Sequence, residues 1–217
     1  CGFLQINGKL VANGTAQDTI TFTRDGDSGN WGVIGFNDAD TTSSLSYCKI
    51  EYGNQIYSFD GSNDFSGALS FYQTDSVSVE NCTISNNNNF GINCYSSSPD
   101  ITNNTISSNN EQGIYCYSSS PAITNNTISD NNSYGIFCAS SSPSIINNVI
   151  SNNADKGIYC SSSSPDIANN TISDNTHGIY CFSSSSSPNI TNNTISNNNS
   201  NGIFCDSSSP AITNNTI

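Results

Sequence analysis

Basic residues are nearly absent from this chain. Its 217 residues hold four Lys plus Arg against 17 Asp plus Glu, with one His, for a formal net charge of −13. There is no basic stripe to neutralise phosphates, which excludes electrostatic binding of nucleic acid. An anionic membrane surface is excluded on the same ground. No apolar run approaches the roughly 20 residues that a membrane span needs. The nine cysteines never fall close together within a unit, and His177 has no second histidine to join it. That lacks the ligand spacing of a zinc site, so neither metal nor cofactor is expected. No signal peptide is visible and the chain starts at Cys1 without a Met, which is expected of a mature or partial chain.

What the sequence does have is repetition. Gly91, Gly113, Gly135, Gly157, Gly178 and Gly202 each open a Gly-Ile pair, and Pro99, Pro121, Pro143, Pro165, Pro188 and Pro210 follow in step. The spacing is 22 residues with small slips, the widest between Cys181 and Pro188. A fixed period of this size predicts a solenoid. The Ser and Asn runs look like low complexity. The strict register of the isoleucines argues against disorder.

Each unit has too few apolar residues for a helix pair and offers three short extended pieces. In the first, Ile114 and Cys116 and their equivalents are constant while the residue between them varies. Strand alternation puts the constant pair inward and the variable residue outward. The other pieces centre on Ile123 and Ile128 and their equivalents. Five residues separate those two isoleucines, so a bend lies between them, and Asn-Asn supplies it because Asn tolerates the left-handed conformation. The predicted fold is all-β: a right-handed parallel β-helix with three short strands per coil of about 22 residues. Irregular coils with longer loops are expected over 1–77 and regular coils over 78–217, in one continuous solenoid. Six regular units would extend roughly 29 Å.

The phrase Ser-Ser-Pro-x-Ile-x-Asn-Asn-Thr-Ile followed by Gly-Ile resembles the right-handed parallel β-helix repeat proteins, in the superfamily of pectate lyases, polygalacturonases and NosD-like proteins. Segments 7–15, 20–23, 31–36 and 45–52 resemble the leading coils of large secreted bacterial members. The resemblance covers nearly the whole chain. It implies the fold, and an extracellular or cell-surface location. Lyases of this superfamily use a calcium-binding acidic cluster with a basic residue, and glycosidases use facing carboxylates. Here Asp130 and Asp174 are two coils apart, Asp100 and Asp166 three, Arg24 is the only arginine, and Lys156 stands alone in the regular region. Loop residues Asp25, Asp27, Asp38 and Asp40 are the remaining calcium candidates. On this basis the chain is not expected to be an enzyme, and no catalytic residue is assigned.

Three other residue sets are singled out. Cys94, Cys116, Cys138, Cys160, Cys181 and Cys205 form an expected core column of small buried hydrophobes. Disulfides between adjacent coils are the alternative, but in-register parallel neighbours suit their geometry poorly. Cys1 reads as a core residue of a coil entered partway, with a lipoprotein-type cysteine as the alternative. Asn13, Asn81, Asn103, Asn125, Asn131, Asn169, Asn189, Asn192, Asn198 and Asn214 each begin an N-glycosylation sequon. The competing reading makes these asparagines structural, stacked in amide ladders. Cys82 in Asn81-Cys82-Thr83 argues that the second position of each Asn-Asn pair is interior. Tyr115, Phe137, Tyr159, Tyr180 and Phe204 predict an outward aromatic ladder that Tyr95, Tyr117 and Phe182 extend. It would stack on sugar rings or simply support itself. His177 is expected in a solvated turn.

The sequence stops partway through a unit, at Ile217. Bare strand edges invite head-to-tail self-association. The expected function is therefore an extracellular structural or cell-surface rod that assembles end to end, with N-glycosylation as an option beside the structural reading of its asparagines. The alternative is a carbohydrate-binding or polysaccharide-processing module, and a weaker third reading is ice or crystal-surface binding.

Overall fold

The computed structural model describes residues 2–39, 42–54, 56–57 and 64–217; Cys1 and Asp40 lie outside them. Every regular element among the described residues is a strand. Three sheets of nine, nine and eight strands stack coil upon coil. All of their pairings are parallel, as in Ile114↔Ile136, Ile123↔Ile145 and Ile128↔Ile150. The exception is the antiparallel pair Ile56–Tyr57 with Asp64–Phe65. This is the expected parallel β-helix with three strands per coil.

Each sheet collects one piece of the repeat. The first holds Ile114–Tyr117 and its equivalents, the second Ala122–Thr124, the third Thr127–Ser129. The central isoleucines of all three point inward and are fully buried from Ile84 to Ile190. In the earlier coils Phe36, Leu45 and Phe71 fill the same interior. A single coil cannot cover its own isoleucines, so the burial comes from stacking.

The corners share one design. A residue with left-handed φ is followed by a buried polar residue. At the first corner these are Ser118 (φ 48°) and Ser119; at the second, Asn125 (φ 58°) and Asn126; at the third, Asp130 (φ 58°) and Asn131. The buried member bonds its own copy one coil away. Ser119 N–H donates to Ser141 Oγ at 3.0 Å. Asn104 N–H and Nδ2 both donate to Asn126 Oδ1, at 2.9 and 3.1 Å. Asn109 N–H and Nδ2 do the same to Asn131 Oδ1, at 3.2 and 2.9 Å. Three ladders thus satisfy the backbone groups where the strands break off.

The second ladder begins with sulfur. Cys82 takes the place of Asn104, and its Sγ accepts the Cys48 N–H at 3.4 Å. The second Asn of each pair is the interior one, as Cys82 argued.

Candidate functional site

The outer face of the first sheet carries the chemistry. Alternation turns Tyr115, Phe137, Tyr159, Tyr180 and Phe204 outward, and parallel register places them on successive coils. Their rings touch without a break. Phe137 and Tyr159 are stacked at 4.8 Å, Tyr115 meets Phe137 edge-on at 5.4 Å, and Tyr159 meets Tyr180 edge-on at 5.4 Å. Tyr180 and Phe204 follow at 4.8 Å. Each ring covers its neighbours, so four of the five are only half exposed.

A second outward column lies beside this one. It consists of the residues preceding each repeat glycine: Phe90, Gln112, Tyr134, Lys156, His177 and Asn201. From Gly91 to Gly178 both the glycine and the isoleucine after it are buried, so the next outward position is the aromatic. Only glycine fits there. A Cβ on Gly135 would lie 2.6 Å from the Gly157 carbonyl oxygen and 2.7 Å from Ile150 Cγ2. The second column widens the ring surface. Phe90 stacks on Tyr115 at 5.0 Å, and Tyr134 lies 5.4 Å from Phe137 and 5.3 Å from Tyr159.

Lys156 sits in the middle of this surface. Its Nζ is 4.9, 5.3 and 5.1 Å from the ring centres of Tyr134, Tyr159 and Tyr180. It pairs with the Asp155 carboxylate at 2.9 Å. His177 is its in-register partner on the next strand, and the His177 ring meets Tyr180 at 5.6 Å. His177 Nδ1 is buried with no hydrogen-bond partner; the same holds for Gln112 Oε1 and Asn93 Oδ1 on this same face. Burial pushes the Tyr115 and Tyr159 phenols up from their ordinary value. The result is a ring platform with one ammonium, one imidazole and one carboxylate near its centre.

A second strip runs along the edge of the face. Tyr72, Tyr95 and Tyr117 stack at 5.0 Å in both steps, and Ala139 and Ser161 then separate them from Phe182. A cavity of about 480 Å³ at the first coils, lined by Phe3, Arg24, Asp25 and Trp31, shares no residue with the platform.

Several expectations are corrected. His177 opens a strand, His177–Phe182, half-buried against aromatic rings, and is not in a solvated turn. Cys94, Cys116, Cys138, Cys160 and Cys181 are buried in one column, and Cys205 stands in register with them on the last described strand of the sheet, where it is exposed. Among the sequons, Asn131 is buried in the third-corner ladder and Asn198 is half-buried at the end of it. The other eight, Asn13, Asn81, Asn103, Asn125, Asn169, Asn189, Asn192 and Asn214, are exposed. Asp130 and Asp174 occupy left-handed corner positions, while Asp100 and Asp166 lie on the outer face of the second sheet. Among the described residues no three His, Cys, Asp or Glu converge to hold a metal ion. No helix there is long and apolar enough to cross a membrane.

Comparison with known proteins follows from this geometry. The model of the right handed beta helix region matches residues 21–143 and 68–217. None of the curated proteins matches the chain. Among solved structures, the A-module of Azotobacter vinelandii mannuronan C-5 epimerase AlgE4 superposes with a TM-score of 0.56 at 13% identity, over 100% of this chain and 83% of that one. The AlgE6 A-module of the same organism gives 0.55 at 11%, over 100% and 84%. The enzymatically active domain of bacteriophage CBA120 tailspike protein 2 gives 0.53 at 13%, over 97% of this chain and 38% of that one. The expectation that the chain is not an enzyme is contradicted here, because the solved structures similar to it include two epimerase modules and an enzymatically active domain. At such identity the likeness carries the fold and not the activity.

Proposed function

Since the chain belongs to the right-handed β-helix family, we propose that it is a module that binds a linear polysaccharide along its aromatic face. The observation that carries this reading is the unbroken series of ring contacts from Phe90 to Phe204, each on the next coil. Sugar rings present apolar C–H faces that pack on aromatic faces, and hydroxyls that need polar partners. The platform runs along the helix axis, so a polymer would lie across the strands. The net charge of −13 disfavours a dense polyanion, except where Lys156 offers a local cation. A cell-surface or extracellular location fits this function.

A second reading adds processing of the bound polymer. It is favoured by the placement of Lys156 over Tyr159 and Tyr180, with its in-register neighbour His177 against Tyr180 and Phe204 and Asp155 on the ammonium. These groups are able to donate and accept protons within a covered aromatic surround.

Affinity electrophoresis through gels holding neutral glycans or mannuronan tests the binding. Retardation by at least one polymer is expected, and Tyr159→Ala with Tyr180→Ala should weaken it by about tenfold or more. Equal mobility of parent and double variant in every gel refutes the reading. NMR of polymers after incubation tests processing; products that persist unchanged in Lys156→Ala and His177→Ala would remove those residues from the reaction.

A further inference from the structure

The interior of the first sheet holds a row of sulfur that the polysaccharide reading leaves unused. Cys94, Cys116, Cys138, Cys160, Cys181 and Cys205 pair in direct register, giving five consecutive neighbouring pairs. The first five residues are buried. The row is flanked by the isoleucine columns of the core.

We propose that this row binds soft monovalent d¹⁰ cations, Cu(I) or Ag(I), each held between two successive cysteine sulfurs. The spacing decides the coordination. In-register parallel strands lie about 4.8 Å apart. Two metal–thiolate bonds of about 2.3 Å each nearly fill that gap. A disulfide needs its sulfurs at about 2.05 Å, far closer than parallel neighbours bring them. A tetrahedral ion needs four converging ligands, and a straight row does not converge. A two-coordinate ion needs only the pair, and thiolates select soft cations.

The charge balance also suits a dry interior. Each ion replaces one thiol proton: the S–H bond breaks, a sulfur–metal bond forms, and H⁺ leaves to solvent. The ion then shares the neighbouring sulfur as its second ligand. Five ions would use five thiolates and leave one thiol, so the loaded row carries no net charge. An apolar core tolerates that far better than an isolated ion.

The test uses Ag⁺, which needs no reductant. Chain carrying Cys1→Ser, Cys48→Ala and Cys82→Asn keeps only the row, and is refolded with and without excess silver nitrate. Native mass spectrometry is expected to count five bound ions, with one proton lost per ion. Cys138→Val cuts the row into a pair and a triple, which hold one and two ions. The expected count thus falls from five to three, whereas six independent thiols would lose one. Circular dichroism establishes that each species is folded, and Cys138→Ala serves if the valine variant is not. A drop of one ion, or no silver on the folded parent, overturns the proposal.

Discussion

Lys156 and His177 are in-register partners on adjacent strands, so the only lysine of the regular stack and the chain's single histidine stand one strand spacing apart. Neither is forced there by the core. Both occupy an outward column whose members vary freely, and both land among tyrosine rings.

Lys156→Met keeps the length of the side chain and removes the charge. The lost cation–π contacts are worth about 0.5–1 kcal/mol at such a site, and Asp155 remains partly in water. Urea denaturation should register a change of that size or less. Polysaccharide retardation should fall several-fold in the same variant if the ammonium contacts the ligand.

The two residues of an Asn-Asn pair should respond oppositely. Asn126 Oδ1 accepts two bonds from Asn104, and its Nδ2 donates to Ile101 O at 2.9 Å and to Asn148 Oδ1 at 3.1 Å. Asn126→Ala leaves these buried groups unpaired, at a cost of about 3 kcal/mol or more. Asn125 is exposed with φ 58°, a conformation open to glycine. Asn125→Gly should change the denaturation midpoint little, by about 0.5 kcal/mol or less.

Cys82→Asn should stabilise the fold by about 1 kcal/mol, the net value of an added hydrogen bond. Its amide oxygen would replace sulfur as acceptor for Cys48 N–H, and its Nδ2 would face Leu45 O, which Cys82 Sγ already approaches at 3.6 Å. A lower midpoint in urea would mean that this coil cannot hold the amide.

Gly135→Ala should destabilise by about 2 kcal/mol or more, since the new methyl meets the Gly157 carbonyl and Ile150. Thermal unfolding of the variant measures it. Gly8, which has open space where a Cβ would be, is the control and should tolerate alanine.

In a host that glycosylates, glycopeptide mapping should find sugar on exposed corner asparagines such as Asn125 and Asn169 and none on Asn131 in folded protein. An Asn131 glycan at high occupancy would mean that the third corner does not close as described.

The residues that repeat without change disclosed their own places. Ile114 and Cys116 recur in every unit, so strand alternation sufficed to turn them inward. The bend at Asn125 followed from the five-residue gap between Ile123 and Ile128. The third corner was less legible: Asp130 and Asn131 sit in variable polar sequence, and nothing local separates a buried amide there from a sequon on the surface. Lys156 and His177 were missed for a related reason. Their column contains Phe90, Gln112 and Tyr134, which share no chemistry, so periodicity alone gives no signal. Noting that each precedes a repeat glycine would have placed them on one face.

The corner ladders make the length of this molecule quantised. Every corner residue recognises its copy one coil away, so excising residues 121–142 would join Ser120 to Pro143 and restore the junction Ser120 makes with Pro121. A deletion that is not a whole number of coils would misalign all three ladders at once. Small insertions survive only outside them: the longer Cys181–Pro188 segment still lets Ser186 Oγ reach Ser163 O at 2.8 Å. Evolution of such a chain can lengthen or shorten its ring platform in steps of one coil without redesigning a single contact elsewhere.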